Sequence, residues 1–171
     1  MKLDFRVPSV ELVPEYRAFV ASFLPTDVDM WSRTHALARS DPAAYVEQAQ
    51  RFARGEMEPL VKSDTYWVFN GNEMAAELWI RHHLRGMLLR HGGHVGYAVQ
   101  PAFRGKGVAT AMLRFALERL RTLGEVEALV TCDDDNPASA RVIEKCGGVR
   151  IHDSERDGRP HRRYLIPLSA P

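Results

Sequence analysis

A short glycine-rich segment, Val99-Gln-Pro-Ala-Phe-Arg-Gly-Lys-Gly-Val-Ala-Thr110, carries the residue types that bind an anionic ligand. Gly105 and Gly107 have no Cβ, so the backbone there can adopt a positive φ and approach a ligand closely. Apolar residues follow at helical spacing, which places the segment at a helix N-terminus with unpaired N–H groups. Arg104 and Lys106 add positive charge, which favours a diphosphate over a carboxylate. On spacing alone, an ordinary tight turn with exposed basic residues is the alternative.

Two common phosphate-binding patterns do not fit this segment. A nucleoside-triphosphate loop has two widely spaced glycines followed directly by Lys-Ser or Lys-Thr, whereas here Lys106 precedes the second glycine. A dinucleotide-binding fingerprint has a third glycine where Thr110 stands. The segment therefore matches neither pattern.

A second motif follows along the chain, at Asn136-Pro-Ala-Ser-Ala-Arg-Val-Ile-Glu-Lys-Cys-Gly147. Together, this motif and Arg104-Gly-Lys-Gly-Val-Ala109 resemble the two signatures of the Gcn5-related N-acetyltransferases (the GNAT family), in the same order and spacing. Elements at residues 80–84, 92–97 and 131–133 are similar to those of a bacterial subgroup of predicted acetyltransferases in this family. The resemblance covers residues 65–167.

The resemblance implies that acetyl-CoA is the co-substrate and that its acetyl group passes to a primary amine of a small molecule or peptide. Direct transfer within a ternary complex is the implied reaction. The implied fold is α/β, with a mixed, mostly antiparallel central sheet of about six or seven strands that splay at the centre, flanked by about four helices. Asn136 would contact the pantetheine, and Ser139 would also bind the cofactor. The diphosphate would be held at Val99, Arg104, Gly105, Lys106, Gly107, Val108, Ala109 and Thr110.

The general base is expected on the strand before the glycine-rich segment, but the usual acid position there is Gly96. His94 lies on the same strand face and has an ordinary pKa near neutrality, so we predict it as the proton acceptor. Its alternative role is to cap the strand. Glu77 and the neighbouring His82 and His83 are rivals, although alternation favours a solvent-facing Glu77 over a buried carboxyl group with a raised pKa, and surface positions for the histidines.

The chain departs from the family at the position of the general acid. The tyrosine that many members carry, seven residues after the position of Asn136, is replaced by Ile143, which cannot donate a proton. Tyr164 or water is predicted as the donor instead, with a core role as the alternative for Tyr164. The departure also leaves a second hypothesis, a non-catalytic domain that binds or senses acyl-CoA. Cys132 and Cys146 are predicted to be small buried residues rather than nucleophiles.

Composition limits the class of function. A chain of 171 residues, 45% of them hydrophobic, fits a single domain, which we divide into a helical acceptor-side region at 1–64 and a cofactor-binding core at 65–167. A net charge of +1 argues against nucleic acid or an anionic membrane as a partner. No membrane span or signal peptide is recognisable. Two cysteines without metal-ligand spacing indicate a cytoplasmic protein with no metal, and a homodimer is an open possibility.

Two charged runs, Asp133-Asp134-Asp135 and Arg159-Pro-His-Arg-Arg163, are expected to be solvated loops. Contact with a metal or an amine is the alternative for the first run, and contact with the 3′-phosphate of coenzyme A for the second. The resemblance places the acceptor site within residues 23–54. There Trp31, Tyr45 and Phe52 line the site or, as we favour, fill the core.

The hydrophobic pattern predicts the elements that position these residues. Helices are expected at 14–23, 42–52, 107–123 and 137–146. Strands are expected at 65–69 and 73–80, joined by an Asn-Gly-Asn hairpin turn, and at 94–99, 126–132, 149–152 and 163–166.

Overall fold

The computed structural model describes residues 1–23, 36–156 and 158–168. These ranges hold five α-helices and eight β-strands. The helices are α1 (Val13–Ala21), α2 (Ala36–Ser40), α3 (Pro42–Arg54), α4 (Val108–Thr122) and α5 (Pro137–Lys145). The strands are β1 (Leu3–Arg6), β2 (Ser63–Asn70), β3 (Glu73–Arg81), β4 (Val95–Val99), β5 (Glu127–Asp133), β6 (Val149–Arg150), β7 (Ser154–Arg156) and β8 (Arg159–Pro167).

The strands form two sheets of four strands each. One sheet has the order β1-β2-β3-β4, and the other has the order β5-β8-β6 with β7 also paired with β8. The pairs β1–β2, β5–β8, β6–β8 and β7–β8 are all antiparallel. The predicted mixed α/β class with mostly antiparallel strands is confirmed, although the strands are more numerous than expected and divided between two sheets. The short strands β1 and β7 and the helix α2 were not predicted, because so few residues show no clear periodicity.

The chain divides into two compact units, Met1–Trp79 with Tyr97–Val108 and Ile80–Gly96 with Ala109–Pro171. In the first unit, α3 packs against β2, α2 and α1. The carboxylate of Asp41 accepts a hydrogen bond from the Ala44 N–H at 3.0 Å and caps α3, which ends at Gly55 with a φ of 79°. The core of this unit is rich in aromatic residues: Tyr16, Phe19, Tyr45, Trp67 and Phe69 are all buried.

In the second unit, β5 pairs with β8 along its whole length, from Glu127 opposite Pro167 to Asp133 opposite His161. Successive side chains of a strand point to opposite faces of the sheet. Val130 and Tyr164, which are opposite each other, therefore share one face, while Asp133 and His161 share the other. This register decides which polar side chains meet in the second unit.

Candidate functional site

The glycine-rich segment is the connection between β4 and α4. Residues Pro101–Phe103 form a 3₁₀ turn in which the Phe103 N–H donates to the Gln100 carbonyl at 2.8 Å. The Phe103 side chain is buried and anchors the turn. Gly105 and Gly107 follow with φ values of 72° and 84°, which L side chains rarely adopt. Both residues therefore adopt the positive φ that was expected to require glycine.

The space beside this connection is open. A Cβ built on Gly105 or on Gly107 would meet no heavy atom within 4 Å. Residues 104–107 are exposed, whereas Val108 is buried and begins α4. The first N–H groups of a helix have no partner within the helix, and its dipole makes this end positive. An anion therefore has both room and hydrogen-bond donors at this place.

Two cations flank those donors. The Arg104 guanidinium donates from Nε to the Val99 carbonyl at 3.3 Å, and the Lys106 Nζ lies 5.5 Å from the centre of the Phe103 ring. Backbone amides together with an arginine and a lysine are the donor set that proteins use for phosphates. The residues present thus fit the diphosphate of a coenzyme A molecule.

Asn136 is the N-cap residue of α5. Its Oδ1 accepts a hydrogen bond from the Ser139 N–H at 3.0 Å, and its own N–H donates to the Asp133 carbonyl at 3.0 Å. The side-chain oxygen thus stabilises the first turn of the helix. Contact of Asn136 with the pantetheine and of Ser139 with the cofactor stays a prediction.

His94 is a buried residue that is held in place by Leu129. Its Nδ1 accepts a hydrogen bond from the Leu129 N–H at 2.9 Å, and its backbone N–H donates to the Leu129 carbonyl at 2.7 Å. Its Nε2 lies 3.8 Å from a carboxylate oxygen of Glu125. Burial lowers the pKa of His94 from 6.5 to about 4. The imidazole is therefore neutral at pH 7, but it is a weak proton acceptor, and its role as the general base stays a prediction.

Tyr164 is fully buried on β8. Its hydroxyl donates to Glu144 Oε1 at 3.2 Å, and burial raises the pKa of the phenol. Ile143 is also fully buried, and a Cβ placed on Gly148 would lie only 2.5 Å from its Cγ2. The position that holds a tyrosine in many family members is thus a tightly packed apolar site here. Proton donation by Tyr164 stays a prediction.

Glu77 is fully buried on β3, so the expectation that it faces solvent is wrong. Its Oε1 accepts hydrogen bonds from the Tyr45 hydroxyl at 2.8 Å and from Trp67 Nε1 at 3.0 Å, and its Oε2 accepts one from the Tyr16 hydroxyl at 3.2 Å. Burial raises the pKa of Glu77 from 4.5 to about 7, although the three hydrogen bonds oppose the shift. Local alternation does not reveal this burial, because the aromatic donors come from α1, α3 and β2.

The acidic and basic runs pair with each other, so the expectation of two solvated loops is wrong for their central residues. His161 Nδ1 lies 2.8 Å from Asp133 Oδ1. Arg162 donates from Nε to Asp134 Oδ1 at 2.6 Å and from Nη2 to the Asp134 carbonyl at 2.8 Å. The antiparallel register of β5 and β8 brings the two runs together, and a register is not readable from either run alone.

His161 also reaches a third polar side chain. Its Nε2 lies 3.0 Å from Thr131 Oγ1, which accepts a hydrogen bond from the Gly92 N–H at 3.2 Å. His161 was expected in a solvated hairpin, so its contact with Thr131 was not predicted. The two-residue spacing of Thr131 and Asp133 on one strand was the available signal, because such residues share a face.

The remaining candidates lie as follows. His83 is exposed and His82 is half-buried, as expected for the end of a strand. Burial raises the pKa of the Cys132 thiol to about 11 and also raises that of Cys146. Tyr45 is a core residue, as expected, whereas Trp31 lies outside the described residues. Within the described ranges, no three metal-ligating side chains converge, and no helix is long and apolar enough to cross a membrane.

Comparison with known proteins identifies the family. A family model described as an acetyltransferase (GNAT) domain matches residues 21–149. No curated protein matches the chain in sequence.

Solved structures share the fold. RimL, a ribosomal L7/L12 α-N-protein acetyltransferase in complex with coenzyme A, matches with a TM-score of 0.75 and 17% identity over 100% of this chain and 97% of that one. The microcin C7 self-immunity acetyltransferase MccE, in complex with acetyl-CoA and AMP, matches with a TM-score of 0.74 and 15% identity over 97% and 92% of the two chains. RimJ of Mycobacterium smegmatis, in complex with CoA-disulfide, matches with a TM-score of 0.69 and 21% identity over 96% and 81%. Since the family model spans most of the sequence, this chain belongs to the GNAT acetyltransferases, whose co-substrate is acetyl-CoA.

Proposed function

We propose that this chain is an N-acetyltransferase that moves an acetyl group from acetyl-CoA directly to a primary amine of a small molecule or peptide, within a ternary complex. The observation that carries the proposal is the open, positively charged connection between β4 and α4, with left-handed glycines at Gly105 and Gly107. An amine acceptor is supported by RimL, which is described as an α-N-protein acetyltransferase.

Acetyl-CoA supplies the acetyl group as an activated thioester. The Arg104 and Lys106 cations neutralise the diphosphate, while the backbone amides at the start of α4 donate to its oxygens. Asn136 contacts the pantetheine, as the family resemblance implies, and Ser139 also binds the cofactor. The full set proposed for the cofactor is Val99, Arg104, Gly105, Lys106, Gly107, Val108, Ala109, Thr110, Asn136 and Ser139.

The proposed catalytic roles of His94 and Tyr164 carry specific requirements. Because the Leu129 N–H already occupies Nδ1 of His94, the imidazole must give up that hydrogen bond before the atom can accept a proton. The Tyr164 hydroxyl must likewise turn away from Glu144 in order to protonate a leaving thiolate. Thiol release by His94→Ala and Tyr164→Phe, compared with wild type, measures each contribution.

Calorimetric titration with coenzyme A tests the cofactor site. Gly107→Ala adds a methyl group to the open space beside the amides, and we expect it to weaken binding about tenfold or more, or 1.4 kcal/mol. Gly124→Ala is the matched control, because Gly124 also has a positive φ, 90°, with nothing within 4 Å of its added Cβ, and follows the other end of α4. Equal affinities for the two variants would contradict the proposed diphosphate site.

A second candidate function is binding or sensing of acyl-CoA without catalysis. It is favoured by Ile143, which offers no proton to a leaving thiolate. Thiol release from acetyl-CoA, measured with a panel of amines, separates the two functions. Release that depends on an amine supports the enzyme, and coenzyme A binding without any release supports the sensor.

The proposal also includes the location of the protein, its partners and its oligomeric state. A cytoplasmic location agrees with Cys132 and Cys146, which are both free thiols. The near-neutral net charge of +1 favours a small-molecule or peptide partner over nucleic acid or a membrane surface. A homodimer stays a prediction that sedimentation would test.

A further inference from the structure

Three polar side chains of the second unit form a continuous hydrogen-bonded chain on one face of the β5–β8 pair. Asp133 Oδ1 lies 2.8 Å from His161 Nδ1, and His161 Nε2 lies 3.0 Å from Thr131 Oγ1. The Gly92 N–H donates to the same hydroxyl oxygen at 3.2 Å. A carboxylate, an imidazole and a hydroxyl in this order have the geometry of an oriented general base next to a polarised O–H group.

The Asp133 carboxylate selects the tautomer of His161 that this hydrogen-bonded chain uses. The Gly92 N–H can only donate, so the Thr131 oxygen accepts there and its own hydrogen is available to His161. An ionised Asp133 can only accept, so the proton of the neutral imidazole is assigned to Nδ1. Nε2 is therefore the basic atom, and the Thr131 hydroxyl donates to it.

The solvent exposure of the three side chains indicates how a proton reaches the imidazole of His161. His161 is 4% exposed, whereas Thr131 and Asp133 are half-buried. Asp133 lies against Nδ1, which already carries a hydrogen, so the route to the basic Nε2 passes through the Thr131 hydroxyl. The ring of His91, a second titratable group, lies beside His161, with the two ring centres 6.1 Å apart in an edge-to-face arrangement.

This chain of side chains lies next to a residue proposed to contact the cofactor. Asp133 is the last residue of β5, and its carbonyl accepts the Asn136 N–H at 3.0 Å. Within the second unit, Asp133, at one end of the three side chains, thus lies at the start of the segment assigned to the pantetheine, the arm of coenzyme A that carries the reacting thioester.

We propose that Thr131, His161 and Asp133 form a proton relay for acetyl transfer, in which Thr131 meets the acceptor amine and His161 holds the proton. The relay rests on the proposed N-acetyltransferase function and deepens it. It would supply the base and the acid in place of His94 and Tyr164, whose hydrogen bonds to Leu129 and Glu144 must break before either side chain can act. Gly96 and Ile143 stand at the usual positions of these groups.

The relay accounts for the one proton that acetyl transfer moves from the amine to the thiolate. Acetyl transfer forms a bond between the amine nitrogen and the acetyl carbon, breaks the thioester C–S bond, and moves one proton from nitrogen to sulfur. Thr131 Oγ1 accepts the proton of the amine while its own hydroxyl proton moves to His161 Nε2. Asp133 stabilises the imidazolium that results, and the reverse movement through Thr131 delivers one proton to the departing sulfur.

Replacement of the Thr131 hydroxyl tests the relay. Thr131→Val keeps the shape of the side chain and removes the hydroxyl, whereas Thr131→Ser keeps the hydroxyl. The assay measures thiol release at saturating acetyl-CoA, with short peptides that carry free α-amino and lysine amines and, separately, with water alone. Thr122→Val is the control, since Thr122 is exposed at the end of α4 and its hydroxyl bonds only the Arg119 carbonyl of its own helix.

We expect Thr131→Val to lower kcat about 100-fold, the usual range for general acid–base catalysis, with unchanged coenzyme A affinity in calorimetry. Thr131→Ser should retain most of the wild-type rate, and Thr122→Val all of it. His161→Ala should be equally slow, and imidazole added to the buffer should restore its rate with saturation, an effect that a purely structural role of His161 would not produce.

Other outcomes overturn the relay. A Thr131→Val variant with the wild-type kcat contradicts the relay and leaves the acetyltransferase function intact. The same holds for a folded His161→Ala variant whose rate does not rise when imidazole is added. Thr131→Ser as slow as Thr131→Val, with coenzyme A still bound, also contradicts it. A different result removes the proposed function itself, and the relay with it: wild-type protein that binds coenzyme A but releases no thiol with peptides, with a panel of small primary amines or with water.

Discussion

Glu77 makes the stability of this protein depend on pH in an unusual direction, and Glu77→Gln tests that dependence. The carboxyl group is fully buried, and its pKa rises from 4.5 to about 7. Between these two values the folded protein binds more protons at this site than the unfolded chain does. The free energy of unfolding therefore falls as the pH rises through this window.

The size of the effect follows from the pKa shift. Each unit of pKa difference corresponds to about 1.4 kcal/mol, so ionisation of Glu77 destabilises the folded protein by about 1 kcal/mol at pH 5 and about 3 kcal/mol at pH 8. Glutamine removes the ionisation and keeps the shape. Its oxygen can accept from Tyr45 and Trp67, and its amide can donate to the Tyr16 hydroxyl oxygen.

Urea unfolding of both proteins between pH 5 and pH 8.5, followed by tryptophan fluorescence, measures the difference. We expect the free energy of unfolding of Glu77→Gln, relative to wild type, to increase by about 2 kcal/mol from pH 5 to pH 8. Glu73→Gln on the same strand is exposed and should differ from wild type by less than about 0.5 kcal/mol. A Glu77→Gln difference that does not change with pH would refute a buried carboxyl group with a raised pKa.

Two further predictions concern the second unit. Gly93 has a φ of 59°, and an added Cβ would lie 2.3 Å from the Leu129 carbonyl oxygen, so Gly93→Ala should lower the unfolding free energy by about 3 kcal/mol. The control Gly71→Ala, with a φ of 65° and open space, should cost only about 1 kcal/mol, and equal urea midpoints would refute the close approach. The pKa of Cys132, about 11, leaves about 100-fold less thiolate at pH 7 than an ordinary thiol has. Alkylation of Cys132 by iodoacetamide, followed by peptide mass spectrometry, should be correspondingly slow, and reaction as fast as free cysteine would contradict its burial.

The local features were predictable from the sequence. The glycines at Gly105 and Gly107, the helix α4 after them and the cap at Asn136 depend on residues close together in the chain. The turn between β2 and β3 was likewise predicted from its turn residues. Such signals need no knowledge of which distant segments pack together.

The features that the sequence did not reveal depend on distant contacts. Burial of Glu77 requires donors from residues 10 to 61 positions away in the chain, and alternation along β3 carries no trace of them. Asp133 and His161 are 28 positions apart in the chain, and they meet only because of the register between β5 and β8. A shift of one residue in that register would send one of the two side chains to the other face.

The central claim is that this chain transfers acetyl groups from acetyl-CoA to a primary amine. Its most direct test incubates the purified protein with acetyl-CoA that carries an isotopic label in the acetyl group, together with the peptide and small-amine panel, and analyses the amines by mass spectrometry. We expect labelled N-acetyl product in amounts equal to the thiol released. With Gly107→Ala at limiting acetyl-CoA, we expect both the labelled product and the released thiol to be lost. Coenzyme A binding with no acetylated amine from any member of the panel would contradict the claim.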